Sequence, residues 1–345
     1  YYLFRRRICE YQERTGIDLM QLCFEQLAGK HVHLLKISGK CVRMDSKLIG
    51  SNIARQSRYE LIHTTLVKFL KTCTLTHLSP EQEERAKEYL KEDSSKTVYR
   101  SDSDTLQSNL ARIGNFIMEM LAVFPATSPA HDLLLRLFEE QYVVMDGKAV
   151  LRDKKEVKAD SLQNPNDPDA TYRAKNDQKV QGYVTNITET VEEGKPNIIT
   201  SVQVETAVFA DCHFLQEAVE NSERVTDSTI EDLYADGAYQ SPDNREFAKN
   251  HNAMQLKTGK MQGGCRWELI PHDEDGLTVR EIATGNTYEA VKAVTKQGSR
   301  KRWRIPWNNK TGWRYFEDKD IKAYQLRKQI ESLPLEEQHK RNNVE

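Results

Sequence analysis

The sequence has no apolar run approaching the length of a membrane span, and no signal-peptide pattern opens it. Both absences argue against a membrane or exported protein, and a cytoplasmic one is expected. No Cys-x-x-Cys pair occurs. The six cysteines (Cys9, Cys23, Cys41, Cys73, Cys212 and Cys265) are scattered, which argues against a zinc module or a disulfide framework and for free thiols. The nine histidines show no ligand spacing, so none is assigned to metal. Charge of one sign is also lacking: 30% of residues are charged, yet the formal net charge is -2, so nucleic-acid binding would need a local patch. What is present is 38% apolar residues in 345, enough for a real core in two domains or one elaborated domain.

The organisation reads from periodicity. Residues 1–29 form a helical lead-in, broken near Gly16 and closed by Gly29. Val42, Met44, Leu48 and Ile49 mark a strand around Asp45. A helical block over 57–155 follows, opened by amphipathic spacing at Leu61, Ile62, Leu66 and Phe69 and continued by the Ser79-Pro80 and Ser128-Pro129 starts. A turn-rich linker at 161–169 precedes two β-branched runs, 180–191 and 198–208, joined by a Glu-Glu-Gly-Lys-Pro turn as a hairpin. Asp211 or a neighbour caps the next helix. The run Asp232-Leu-Tyr-Ala-Asp-Gly then reads as a buried strand stopping at Asp236, and on its own such an acid is most simply a turn residue. A β-rich stretch over 250–316 and a charged helix from Asp318 complete the chain.

Five motifs stand in order: "RMDSKLIGSNIARQSR" at Asp45, "NPNDPDATYRAK", "VQGYVTNITET", "ADGAY" at Asp236, and "RNNVE" at Glu345. In this order they resemble the catalytic domain of bacterial insertion-sequence transposases of the DDE class. The resemblance implies an α/β fold, an RNase H-like mixed sheet over 41–345 with a helical insertion after the first strand and a β-rich insertion before the last helix. It implies Asp45, Asp236 and Glu345 as catalytic acids and metal ligands for two Mg²⁺ ions, with Mn²⁺ as a substitute, because crowded carboxylates suit hard cations. The implied reaction is hydrolysis at transposon ends and transfer of the 3′-hydroxyl into target DNA. The implied partners are double-stranded DNA and a second copy in a homodimeric synaptic complex. Residues 1–40 would be the remnant of a DNA-recognition region, and a chain starting at Tyr1 and ending at Glu345 is expected to be a truncated piece with its third ligand poorly held.

DNA binding has its own signal. From Lys292 to Arg314 the chain carries eight basic residues and no acid, with three of its four tryptophans interleaved. Arg300, Lys301, Arg302, Trp303, Arg304, Trp307, Lys310, Trp313 and Arg314 are the candidates, since cations neutralise phosphates and flat rings stack on exposed bases. A basic strand edge over packed aromatics explains the same pattern equally well. Arg173 and Lys175 are weaker phosphate candidates, and Asn52 a candidate for orienting substrate. Two other readings stay open: a catalytically silent DNA-binding transposase remnant, and an RNase H-like nuclease without strand transfer.

Overall fold

The computed structural model describes residues 2–125, 128–175, 178–258, 266–272, 276–293, 302–307, 312–332, 334 and 336. Helices α1 (Tyr2–Thr15) and α2 (Leu19–Leu34) lead into β1 (Cys41–Gly50). Five helices follow: α3 (Arg58–Leu70), α4 (Pro80–Lys91), α5 (Ser94–Arg100), α6 (Ser103–Val123) and α7 (Pro129–Gln141). Next come β2 (Tyr142–Met145), β3 (Lys148–Leu151), β4 (Thr171–Lys175), β5 (Gln178–Thr190), β6 (Ile199–Thr206), α8 (Leu215–Thr226), β7 (Asp232–Ala235), α9 (Pro242–Asn250) and β8 (Gln255–Thr258). The remainder is β9 (Trp267–Pro271), β10 (Leu277–Glu281), β11 (Thr287–Ala293), β12 (Arg302–Trp307), β13 (Gly312–Glu317) and α10 (Asp318–Glu331). The fold is therefore mixed α/β, and no described helix is long and apolar enough to cross a membrane.

Contacts divide the chain into two compact units: Tyr1–Asp45, Asn186–Gln203 and Asp211–Glu345 form the first, and Ser46–Thr185 with Val204–Ala210 the second. A mixed sheet of six strands runs β4-β5-β1-β7-β8, with β6 also paired to β5. In the first unit β1 pairs β7 in parallel and β7 pairs β8 in parallel. Expected as the start of the β-rich insertion, β8 instead belongs to this sheet, because Leu256 and its neighbours register against Leu233. Polar pairs join β6 to α8, with Thr200 Oγ1 2.7 Å from Ser222 Oγ and Gln203 Nε2 donating to Glu217 Oε2 at 3.0 Å, and Asn186 Nδ2 of β5 donates to Gln203 Oε1 at 2.9 Å. A separate five-stranded sheet runs β13-β12-β11-β10-β9, its buried face formed by Leu277, Val279, Trp303, Ile305 and Phe316 with Ile321 of α10.

The second unit is the helical block. Ile62, Leu66, Phe116, Ile117, Leu134 and Leu137 are fully buried at its centre. Its helices start where the sequence says they should: Ser57 with Glu60 and Ser79 with Gln82 form capping boxes, and Ser128 caps α7. Not anticipated was the hairpin β2–β3, although Asp146-Gly147, both at positive φ (50° and 73°), is a turn the strand twist favours. The turn-rich linker is a tie. Asp167 accepts short hydrogen bonds from Ser51 Oγ and Tyr183 Oη, Asn164 Nδ2 donates to Ala54 O at 3.1 Å, and Arg136 donates to Pro168 O at 2.9 Å. Burial, and then Asp167, push the Tyr183 hydroxyl up to about 12.

One buried histidine makes this unit's stability depend on pH. His63 is 4% exposed, its Nε2 lies 3.1 Å from Tyr89 O and 3.6 Å from Glu92. Burial holds its pKa below the ordinary value, with Glu92 opposing. The folded state thus binds the proton less readily than the unfolded chain, whose histidine titrates near about 6.5. His63 contributes stability above that pH, and the contribution is lost as pH falls below it, by at most about 1.4 kcal/mol per pH unit. Urea unfolding between about pH 7.5 and 5.5 is expected to show a steeper loss for the native protein than for His63→Gln; equal slopes would discount this histidine.

Candidate active site

Strands β1 and β7 set the site. Their parallel register pairs Cys41 with Asp232, Val42 with Leu233 and Arg43 with Tyr234. Carried on two residues, that register sets Asp45 level with Asp236. Asp236 has extended backbone (φ -81°, ψ 173°), so the strand direction continues into it before the chain turns at Gly237. Adjacent strands lie about 4.8 Å apart, and residues in register point to the same face, so the two acids share one face of the sheet. By the alternation of a strand Val42 and Met44 of β1 and Leu233 and Ala235 of β7 take one face, and the half-buried Asp45 and Asp236 take the other, which they share with Arg43 and Tyr234.

The turn after Asp236 is held from several sides. Asp236 Oδ1 accepts from Ala238 N at 2.6 Å and caps a short 3₁₀ turn, Gly237–Tyr239. Tyr239, fully buried, donates through Oη to Asn186 Oδ1 of β5 at 2.7 Å, and Asn244 Nδ2 donates to Tyr239 O at 2.9 Å. An ionised carboxylate has lone pairs in excess of the one used here, so Asp236 keeps acceptor capacity for a cation.

One step behind the acids lies a row that sequence reasoning missed. Arg43, 2% exposed, pairs with Glu189 of β5 through Nε at 2.6 Å and Nη2 at 2.5 Å. Across β7, Tyr234 stands in register with Arg43, and Lys257 of β8 in register with Tyr234. Lys257 Nζ lies 3.1 Å from Asp232 and donates to Tyr234 Oη at 3.3 Å. Burial works against its charge, but the bonds to Asp232 and Tyr234 outweigh it and raise its pKa. The row is thus an alternating Glu-Arg-Tyr-Lys ladder crossing four strands. Arg43 lay within the quoted "RMDSK" motif, but its partner is 146 residues away.

Two carboxylates on one sheet face would suit Mg²⁺ or Mn²⁺ better than a softer metal. Among the described residues no group of three or more His, Cys, Asp or Glu side chains could hold a metal ion. The acid expected to complete the set, Glu345, lies outside the described residues. Asp211, expected to cap a helix, opens a 3₁₀ turn (Asp211–Phe214) and is buried, while the residue capping α8 is Phe214, with no side-chain bond.

The candidate DNA-binding residues separate by strand face. Trp303, 3% exposed, is in the core of the five-stranded sheet and cannot stack on a base; its expected role is corrected here, since β12 alternates and Trp303 and Ile305 take the inner face. The outer face carries Arg302 and Arg304 of β12 with Trp313, 48% exposed, and Tyr315 of β13. Arg302 stacks 4.0 Å from the Tyr315 centroid and Arg304 4.2 Å from that of Trp313. Arg314 is exposed, 6.0 Å from the Phe316 centroid. Arg300, Lys301 and Lys310 lie outside the described residues, as do the side chains of Trp307 and Lys175, whose backbones belong to β12 and β4. In the second unit Arg173 Nη1 donates to Ala207 O at 3.3 Å and Phe209 O at 3.0 Å, a tie to the main chain, and Asn52 is exposed in the loop after β1. Comparison of the chain with protein-family models, with characterised proteins and with solved structures gave no match.

Proposed function

We propose that the chain is a metal-dependent DNA strand-cleaving and strand-transferring enzyme of the DDE transposase kind, built on an RNase H-like sheet. The observation that carries this reading is the parallel register of β1 and β7 from Cys41–Asp232 to Arg43–Tyr234, which, carried on two residues, brings Asp45 level with Asp236 on one face. The strand order supports it: a hairpin, β5–β6, lies on one side of β1, and the parallel strands β7 and β8, each reached through a helix, lie on the other. The hairpin beside the strand of the first acid and the strand of the second acid fit the resemblance, and β8 is an addition to it.

Asp45 and Asp236 would hold Mg²⁺, with Glu345 as the third acid the resemblance supplies. Metal held there would supply Lewis-acid polarisation of the phosphate and a more acidic attacking water or 3′-hydroxyl. The chain's own contribution is placement. The turn bonds at Ala238, Tyr239 and Asn244 fix where the Asp236 carboxylate stands, and the parallel register fixes Asp45 beside it. No covalent enzyme intermediate is needed.

The outer face of β12 and β13 is the proposed DNA contact. Its guanidinium–ring stacks present cations and rings together, the combination that tracks a phosphate backbone and stacks bases. Trp313→Ala is expected to weaken binding to a DNA end by about 1–3 kcal/mol, with little loss of stability because the ring is half exposed. Fluorescence anisotropy checks this; unchanged affinity removes the face from the interface. The function itself is tested by incubating the chain with Mg²⁺ and a plasmid bearing candidate transposon ends, and following nicks and joined products. Nicking with strand transfer supports the reading. Binding without metal-dependent nicking points to a silent remnant, and cleavage without transfer to a nuclease.

A further inference from the structure

We infer that the second unit binds a nucleoside monophosphate group in the cleft between the start of α3 and residues 154–163. The cleft holds about 620 Å³, within the roughly 300–1,000 Å³ of small-molecule sites. Nothing in this inference depends on the carboxylate site, and it stands or falls apart from the proposed activity.

The central observation is Arg58. Its guanidinium is half-buried, yet its hydrogen-bond partners are neutral: Nε donates to Gln141 Oε1 at 2.7 Å and Nη2 to Gln141 O at 3.3 Å. It forms no ion pair among the described residues. Burial lowers its pKa, and attraction to Tyr142 and Asp153 only offsets this in part. Buried cations are ordinarily matched by an anion, and a guanidinium has five donors in a fork that fits phosphate oxygens two at a time.

The rest of the lining points the same way. Lys154 and Lys158 stand at the rim, and among the described residues no Asp or Glu lines the cleft. Leu61 and Leu162 supply an apolar wall and Tyr172 an aromatic one, which suits a flat base and sugar attached to the phosphate better than a bare inorganic ion. Such a group can come from a free mononucleotide or from the 5′-phosphorylated end of a DNA strand.

Calorimetric titration of the full chain distinguishes these. Deoxyadenosine monophosphate serves as probe, with deoxyadenosine, inorganic phosphate, and a short oligonucleotide carrying either a 5′-phosphate or a 5′-hydroxyl alongside. The monophosphate is expected to bind at least about tenfold tighter than nucleoside or phosphate alone. Arg58→Gln should weaken it about tenfold or more. Because Arg58 also braces Gln141, the double variant Lys154→Glu/Lys158→Glu, at exposed positions, should weaken it comparably while circular dichroism stays native. A marked preference for the 5′-phosphorylated oligonucleotide over its hydroxyl form assigns the ligand to a DNA end, and binding of the mononucleotide alone assigns it to the free species. Absence of saturable monophosphate binding up to about 1 mM, or unchanged affinity in the double lysine variant, overturns the inference.

Discussion

Replacing Asp236 with asparagine is expected to lower metal-dependent DNA nicking by about 10³-fold, since a bound metal supplies several kcal/mol of transition-state stabilisation and each 1.36 kcal/mol is tenfold. The substitution isolates charge from shape. Asparagine Oδ1 can still accept from Ala238 N, the bond that now closes the 3₁₀ turn at 2.6 Å, so the turn and the Tyr239–Asn186 anchor should persist. Thermal melting should therefore change little while cleavage collapses. Asp45→Asn should behave alike, because the register gives the two acids equivalent places. Wild-type nicking by Asp236→Asn would remove Asp236 from the chemistry, and a melting temperature lowered by tens of degrees would show that the side chain serves the fold instead.

The second large effect is expected at Arg43. Arg43→Met leaves Glu189, whose side chain is 15% exposed, without its cation inside the sheet. Removing one partner of a buried pair typically costs about 3–5 kcal/mol, whereas replacing both by apolar groups of similar volume is often neutral. Urea unfolding should thus show a severe loss in the single variant and recovery of most of it in Arg43→Met/Glu189→Met. A double variant as unstable as the single one would mean that the ladder as a whole, rather than the pairing of these two charges, holds the strands in register.

How far the sequence could be read is clearest residue by residue. The place of Asp236 at the end of a strand was legible because Leu233 and Ala235 alternate along a short run that Gly237 ends, and helix starts were legible because Ser57, Ser79 and Ser128 act on their own neighbours. Local chemistry writes local signals. Arg43 was not legible as a partner of Glu189, since a cross-strand pair leaves no mark in sequence spacing until the strands are known to be adjacent. Trp303 and Trp313 share the same basic surroundings, and only the pleat of β12 and β13 puts one inside and the other out. Asp211 looked like a cap because Asp usually is one before a helix; a 3₁₀ turn intervenes and carries it into the interior. The Asp146-Gly147 turn was written plainly enough and was overlooked beneath the helical pattern around it.

The tie at Asp167 has a consequence for how such a chain can be assembled. Ser51 and Asp167 are 116 residues apart and hydrogen bonded, and Asn164 is bonded to Ala54 a few residues on. The whole excursion from the end of β1 to the start of β4 therefore begins and ends at one place. A segment with adjoining ends can be spliced into a strand connection without stretching it, and its closure entropy, which grows by only about 0.6 kcal/mol per doubling of length, is met by its own packed helices. Residues 57–163 thus leave the chain and rejoin it at adjoining points, as an inserted segment does.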